Sequence, residues 1–208
     1  MRDVEQILTR SPVIPVIVIE DIADAVPLAR ALYQGGLQVL EVTLRTEQGL
    51  AAITEMRSAL PDAIIGAGTV ISGDDVVRSK AAGAEFLVSP GCTPALFDSA
   101  MAEQMPFLPG VNSPSEAMAL LEKGQRHLKF FPAEAAGGVA MLKSIGGPLP
   151  QLRFCPTGGI NLSNAKSYMA LSNVACVGGS WMLDAKAIAS KDWGLIEKLA
   201  SEAAALKS

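Results

Sequence analysis

The chain has 208 residues, with 17 basic and 21 acidic side chains for a formal charge of −4, and half of it is hydrophobic while 18% is charged. Such a length suits one domain, the organisation expected here over residues 1–208, or two small ones, and can bury a sizeable core; the composition excludes disorder, collagen and a disulfide scaffold. The absence of a basic excess argues against nucleic acid as a partner, three cysteines suggest reduced thiols in the cytoplasm, and a single histidine makes a protein-built zinc site improbable.

A leading helix is expected over Arg2–Leu8. The apolar run that follows, Val13–Ile19, is far shorter than the roughly 20 residues a membrane-spanning helix needs. It also lacks a basic n-region and a cleavage pattern, so it reads as a buried strand and no membrane partner is expected. Apolar runs then recur along the chain at Pro12–Ile19, Val39–Thr43, Ile64–Gly68, Phe86–Ser89, Pro106–Gly110, His127–Phe131, Arg153–Thr157 and Val174–Gly178. Their centres lie about 21 to 26 residues apart, the size of one βα unit.

The intervening segments carry helix signals. Asp21 is a candidate N-cap for a helix reaching Tyr33, and Thr46 for one ending at Leu60, where Pro61 supplies the stop. Ser72 precedes Asp74 and Asp75, which place negative charge at a helix start. Thr93 and Ser113 are each followed by a proline suited to the first helical position, and Ser113 has Glu116 three residues on, a capping box. Gly83 and Gly124 stand where helices should end. A helix is expected from about Ser163, and the last over Trp193–Leu206. Eight strand–helix units predict an α/β fold of the (β/α)8 TIM-barrel type with an extra N-terminal helix. An open doubly wound sheet is the alternative with the same local pattern.

Charged residues inside strands are the informative ones, because a barrel's active face lies at the C-terminal ends of its strands. Lys129 stands in Leu-Lys-Phe-Phe-Pro. Strand alternation separates Lys129 and Phe131 from Leu128 and Phe130. Desolvation favours a neutral lysine amine, which can attack a carbonyl and form a Schiff base; the plainer reading is a lysine that snorkels or pairs with a carboxylate. Glu41, Thr43 and Arg45 share one face of the second strand. A buried carboxylate can shuttle protons near neutrality, or Glu41 and Arg45 can simply form a structural pair.

Thr69 follows Gly66-Ala67-Gly68, where glycines allow a ligand close to the backbone. Gly158-Gly159 and Gly178-Gly179-Ser180 end the last two strands, the usual place of a barrel phosphate site, although glycines also serve tight turns. His127 reads as a barrel-bottom residue and Cys155 and Cys176 as core thiols. No acid–base partner can be named for Cys92, and Trp181 and Trp193 read as packing residues.

In the stretches Gly35–Thr46, Gly66–Val70, Leu128–Glu134 and Arg153–Ile160 the chain resembles the 2-keto-3-deoxy-6-phosphogluconate (KDPG) and 4-hydroxy-2-oxoglutarate (KHG) aldolase family. The resemblance runs from about Val13 to Trp193. It implies a cofactor-free and metal-free class I aldolase on a (β/α)8 barrel, usually a homotrimer, acting on a phosphorylated keto acid in the Entner–Doudoroff pathway. It also implies roles: Lys129 as the Schiff-base lysine, Glu41 as the acid/base group, Arg45 and Thr69 at the pyruvoyl carboxylate, Pro90 and Phe131 in the pyruvoyl pocket, and Gly158, Gly159 and Ser180 at the phosphate. Asn112 and Ser113 depart from the expected pattern and bear on substrate preference. A sister aldolase for the galactonate epimer, a phosphosugar isomerase and a non-catalytic phosphate-binding barrel are the rival readings.

Overall fold

The computed structural model describes residues 3–206, so Arg2 of the expected leading helix lies outside the described residues. Helix α1 (Val4–Leu8) opens with a capping box between Asp3 and Gln6 and buries Ile7 and Leu8. The strands are β1 (Val13–Ile17), β2 (Val39–Thr43), β3 (Ile64–Gly68), β4 (Leu87–Val88), β5 (Phe107–Leu108), β6 (Gly110–Val111), β7 (His127–Phe130), β8 (Arg153–Pro156) and β9 (Val177–Gly179). The remaining helices are α2 (Ala25–Gln34), α3 (Gly49–Ala59), α4 (Gly73–Ala81), α5 (Pro94–Ala102), α6 (Pro114–Glu122), α7 (Gly138–Gly146), α8 (Ala165–Met169), α9 (Ala185–Ala189) and α10 (Trp193–Ala204).

Every strand pair is parallel. Parallel neighbours require crossover connections, which the helices supply. The pairing is a curled parallel sheet in two parts: six strands in the order β5-β4-β3-β2-β1-β9, and three in the order β6-β7-β8. The expected eight strands are therefore nine among the described residues, because the fifth apolar run divides at Pro109. β5 pairs with β4 and β6 pairs with β7, so the division carries the chain from one part to the other. Proline has no N–H to give to a ladder. Beyond β8, pairing with the β9 segment is reduced to single parallel bridges, Phe154↔Val174 and Thr157↔Gly178.

Alternation along the strands sorts the core into two layers. Leu40 and Val42 of β2, Ile65 and Ala67 of β3, and Leu128 and Phe130 of β7 pack outward against the helices. Ile14, Val39, Ile64, Phe86, Val88, Leu108, Cys155 and Cys176 form a separate inner cluster, joined by Ile7 and Leu8 of α1. One face of the curled sheet thus carries its own apolar cluster, and α1 packs into it.

Caps with a free hydroxyl behave as expected. Ser72, Thr93 and Ser113 accept from Asp75, Leu96 and Glu116 N–H groups, and Ser113 completes its capping box. Gly83 and Gly124 follow the ends of α4 and α6 with φ of +92° and +84°. Two starts differ. Asp21 caps a 3-10 turn, Ile22–Asp24, that precedes α2. The Thr46 hydroxyl donates instead to the Ile19 carbonyl at 2.6 Å, and α3 begins at Gly49. The helix expected from Ser163 begins at Ala165, because Asn161 and Asn164 first close a side-chain-bonded turn.

Candidate active site

Because all strands run parallel, their C-terminal ends share one side of the sheet. Arg45, Thr69, Pro90, Phe131, Gly158 and Ser180 each follow a strand end closely, on β2, β3, β4, β7, β8 and β9. Sequence positions 135 residues apart are gathered there by topology alone.

Below this rim, Lys129 of β7 and Glu41 of β2 meet in the interior. Lys129 Nζ donates to Glu41 Oε1 at 3.2 Å, and both side chains are 5% exposed. β2 and β7 are not neighbours in the sheet. The contact spans the interior, and the face of each strand is settled: Leu128 and Phe130 lie outward, Lys129 inward. The ammonium also sits 5.3 Å from the centroid of the Phe131 ring. A cation over an aromatic face is stabilised electrostatically.

The Gly-Ala-Gly segment has a different use from the one its composition suggests. A Cβ on Gly68 would lie 2.3 Å from Glu41 Oε1, and one on Gly66 would lie 2.3 Å from the Phe86 ring. These glycines make room for protein side chains, one of them the candidate acid/base group. Thr43 is not free either: its hydroxyl donates to the Ile17 carbonyl at 2.9 Å within the core. The alternative reading, a structural Glu41–Arg45 pair, is not formed; each residue has its own contact. Arg45 is exposed at the rim, and its Nε donates to Thr69 Oγ1 at 3.2 Å. Thr69 has φ of +59°, a left-handed conformation uncommon for a β-branched residue. Held there, its hydroxyl and the Arg45 guanidinium face each other across the ends of β2 and β3.

The two glycine pairs are adjacent. The Thr157↔Gly178 bridge places Gly158-Gly159 beside Gly179-Ser180. Gly158 and Gly159 have φ of +103° and +78°, values that glycine adopts without steric cost. Pro90 is exposed at the rim, and its carbonyl group lies so close to Gly110 that a Cβ there would come within 2.4 Å.

The remaining polar candidates fall into structural roles. Burial pushes the Cys92 thiol up to about 11, outweighing the nearby Lys123 charge, which leaves little thiolate at neutral pH. Its side-chain contact with Cys155 and then burial raise Cys176 well above the usual thiol range. Burial depresses His127, against the attraction of Glu5 and Asp3 near α1. The Trp181 ring lies over Gly179, where a Cβ would come within 2.0 Å of it. Among the described residues, no group of three or more His, Cys, Asp or Glu side chains is placed to hold a metal ion.

A family model described as KDPG and KHG aldolase matches residues 4–199. The chain belongs to the KDPG and KHG aldolase family. A 2-dehydro-3-deoxy-phosphogluconate aldolase of Dickeya dadantii is 51% identical over 97% of this chain and 94% of its own length. A KHG/KDPG aldolase of Escherichia coli K12 is 48% identical over 96% of this chain and 93% of its own. Among solved structures, a KDPG aldolase from Legionella pneumophila superposes with a TM-score of 0.94 at 50% identity, covering 96% of this chain and 97% of that one. That aldolase holds pyruvate captured at low pH as a covalent carbinolamine intermediate. A carbinolamine joins an amine to a carbonyl carbon; in the present chain Lys129 Nζ is a buried amine 3.2 Å from a carboxylate oxygen.

Proposed function

We propose that this chain is a class I aldolase that cleaves 2-keto-3-deoxy-6-phosphogluconate to pyruvate and D-glyceraldehyde 3-phosphate. 4-Hydroxy-2-oxoglutarate, which gives pyruvate and glyoxylate, is a second substrate. The observation that carries this reading is the buried contact of 3.2 Å between Lys129 Nζ and Glu41 Oε1. It joins a nucleophile to a proton acceptor where solvent is excluded.

Lys129 attacks the C2 ketone, and Glu41 relays protons as the carbinolamine forms and loses water. The resulting iminium draws in the electrons of the C3–C4 bond as Glu41 takes the proton of the C4 hydroxyl. D-Glyceraldehyde 3-phosphate leaves. The enamine is protonated at C3, and water releases pyruvate and restores the amine. Arg45 suits the substrate carboxylate because its fork can bind both oxygens, with Thr69 beside it; Pro90 and Phe131 shape the pyruvoyl pocket. Gly158, Gly159 and Ser180 take the phosphate, whose distance from Lys129 fixes the reacting bond relative to Glu41. No cofactor or metal enters any step.

On this reading the two parts of the sheet close into one (β/α)8 barrel, with β5 and β6 as one interrupted strand. The continuity at Pro109, the bridges from β8 to the β9 segment and the Lys129–Glu41 contact across the interior support that closure. The chain forms one domain over residues 1–208, assembles as a homotrimer and works in the cytoplasm in the Entner–Doudoroff pathway.

Sodium borohydride added with pyruvate is expected to inactivate the protein and to add the mass of a reduced pyruvate adduct to the peptide bearing Lys129. An unmodified peptide after complete reduction removes the Schiff-base route. Glu41→Gln is expected to lower turnover by about 10²-fold or more with the circular dichroism of the parent.

A further inference from the structure

The chemistry above makes no use of one polar contact beside the glycine turns. Tyr168, on α8, is fully buried, and its phenol donates to Glu134 Oε1 in the segment after β7. The rest of Glu134 is built into the Gly158-Gly159 turn. Its N–H donates to the Gly158 carbonyl at 3.1 Å, and the preceding Ala133 N–H donates to the Thr157 carbonyl at 2.8 Å. Gly159 lies against the Glu134 side chain so closely that a Cβ there would be 2.7 Å from Cγ. Asn164, just before α8, donates from Nδ2 to the Gly159 carbonyl at 3.1 Å. On the other side, a Cβ on Gly138 would come within 3.0 Å of the Tyr168 oxygen and 3.3 Å of Glu134 Oε1. Glycine at 138 and at 159 leaves room for the Glu134–Tyr168 contact on both sides.

We infer that Glu134 and Tyr168 are positioning residues: the pair latches the Gly158-Gly159 turn in the conformation that receives the substrate's phosphate, and so sets the preference for phosphorylated over unphosphorylated keto acids. The inference rests on the aldolase reading above. Its physical basis is twofold. The turn is anchored to the deep core through Glu134, because Tyr168 does not move without unpacking α8. The phenol also fixes the direction of a carboxylate that, if released, would stand as a negative charge beside an anion site. Burial and the hydrogen bond to Glu134 hold the phenol above its ordinary range, so it remains a donor throughout the neutral range.

The test measures cleavage of the phosphorylated substrate and, separately, inactivation by pyruvate with borohydride, which engages only the Lys129 end. Tyr168→Phe and Glu134→Ala are expected to raise KM for the phosphorylated substrate about tenfold, the loss that follows removal of a hydrogen bond to a charged group. The pyruvate inactivation rate should stay at the parent value. Glu134→Gln keeps an acceptor for the phenol and is expected to restore KM to within about twofold of the parent on the same grounds. An unchanged KM in both disrupting variants overturns the latch. So does an equal fall in phosphorylated-substrate cleavage and in pyruvate inactivation, which marks general loosening. A parent protein that neither traps pyruvate nor cleaves the phosphorylated substrate removes the aldolase reading instead, so the two failures are distinguishable.

Discussion

Glu41 and Lys129 are placed where ions are costly. Withdrawing each from water costs several kcal/mol, and their mutual attraction offsets this only while both are present. Removing Lys129 strands a buried carboxylate. Lys129→Met is therefore expected to lower unfolding stability by about 3 kcal/mol in urea titration. The double variant Glu41→Leu/Lys129→Met should regain most of that loss while remaining inactive; equal stabilities for the single and double variants would contradict the account. Both residues stood out in the sequence because charges are uncommon inside apolar strands, although ion pairing explained each of them locally as well as catalysis did. Gly68 was legible only as a glycine. Its task, leaving 2.3 Å where a Cβ would strike Glu41, depends on a side chain from another strand. The same holds for Glu134, whose partner Tyr168 is 34 residues away.

Helix starts were readable where the capping side chain has no competing partner. Ser72 accepts from the Asp75 N–H at 3.1 Å. Ser72→Ala is expected to cost about 1 kcal/mol, a fall in Tm of about 2–4 °C for a chain of this size, with unchanged turnover. Calorimetry together with a pyruvate-release assay checks both halves. Thr46 has the same local credentials, yet its hydroxyl goes to the Ile19 carbonyl on the neighbouring strand's exit. Local sequence does not reveal that acceptor. The strands β4, β5 and β6 were the least legible elements, each only two residues long. Their periodicity is too short to register, and parallel pairing with adjacent strands is what makes them strands.

At the scale of the molecule, the sheet has an apolar end and a polar end. Ile7 and Leu8 of α1 fill the first, against Ile14, Val39 and Ile64, while the glycine turns, Arg45 and Thr69 occupy the second. Leu8→Ala is expected to cost about 3 kcal/mol by denaturant titration and to leave kcat unchanged, since it lies in the layer remote from the rim. A matching loss of kcat would mean that the two ends are mechanically coupled. The sequence by itself determined the strand–helix alternation, the hydroxyl caps, and the family resemblance with its lysine and carboxylate, because periodicity, capping and long motifs are local properties of the chain. Only the tertiary structure decided which face of β7 turns inward, that Lys129 meets Glu41, that Arg45 pairs with Thr69 rather than with Glu41, and that Gly66 and Gly68 accommodate side chains. Each of these depends on how distant strands are brought together when the sheet curls, and no stretch of sequence carries that distance.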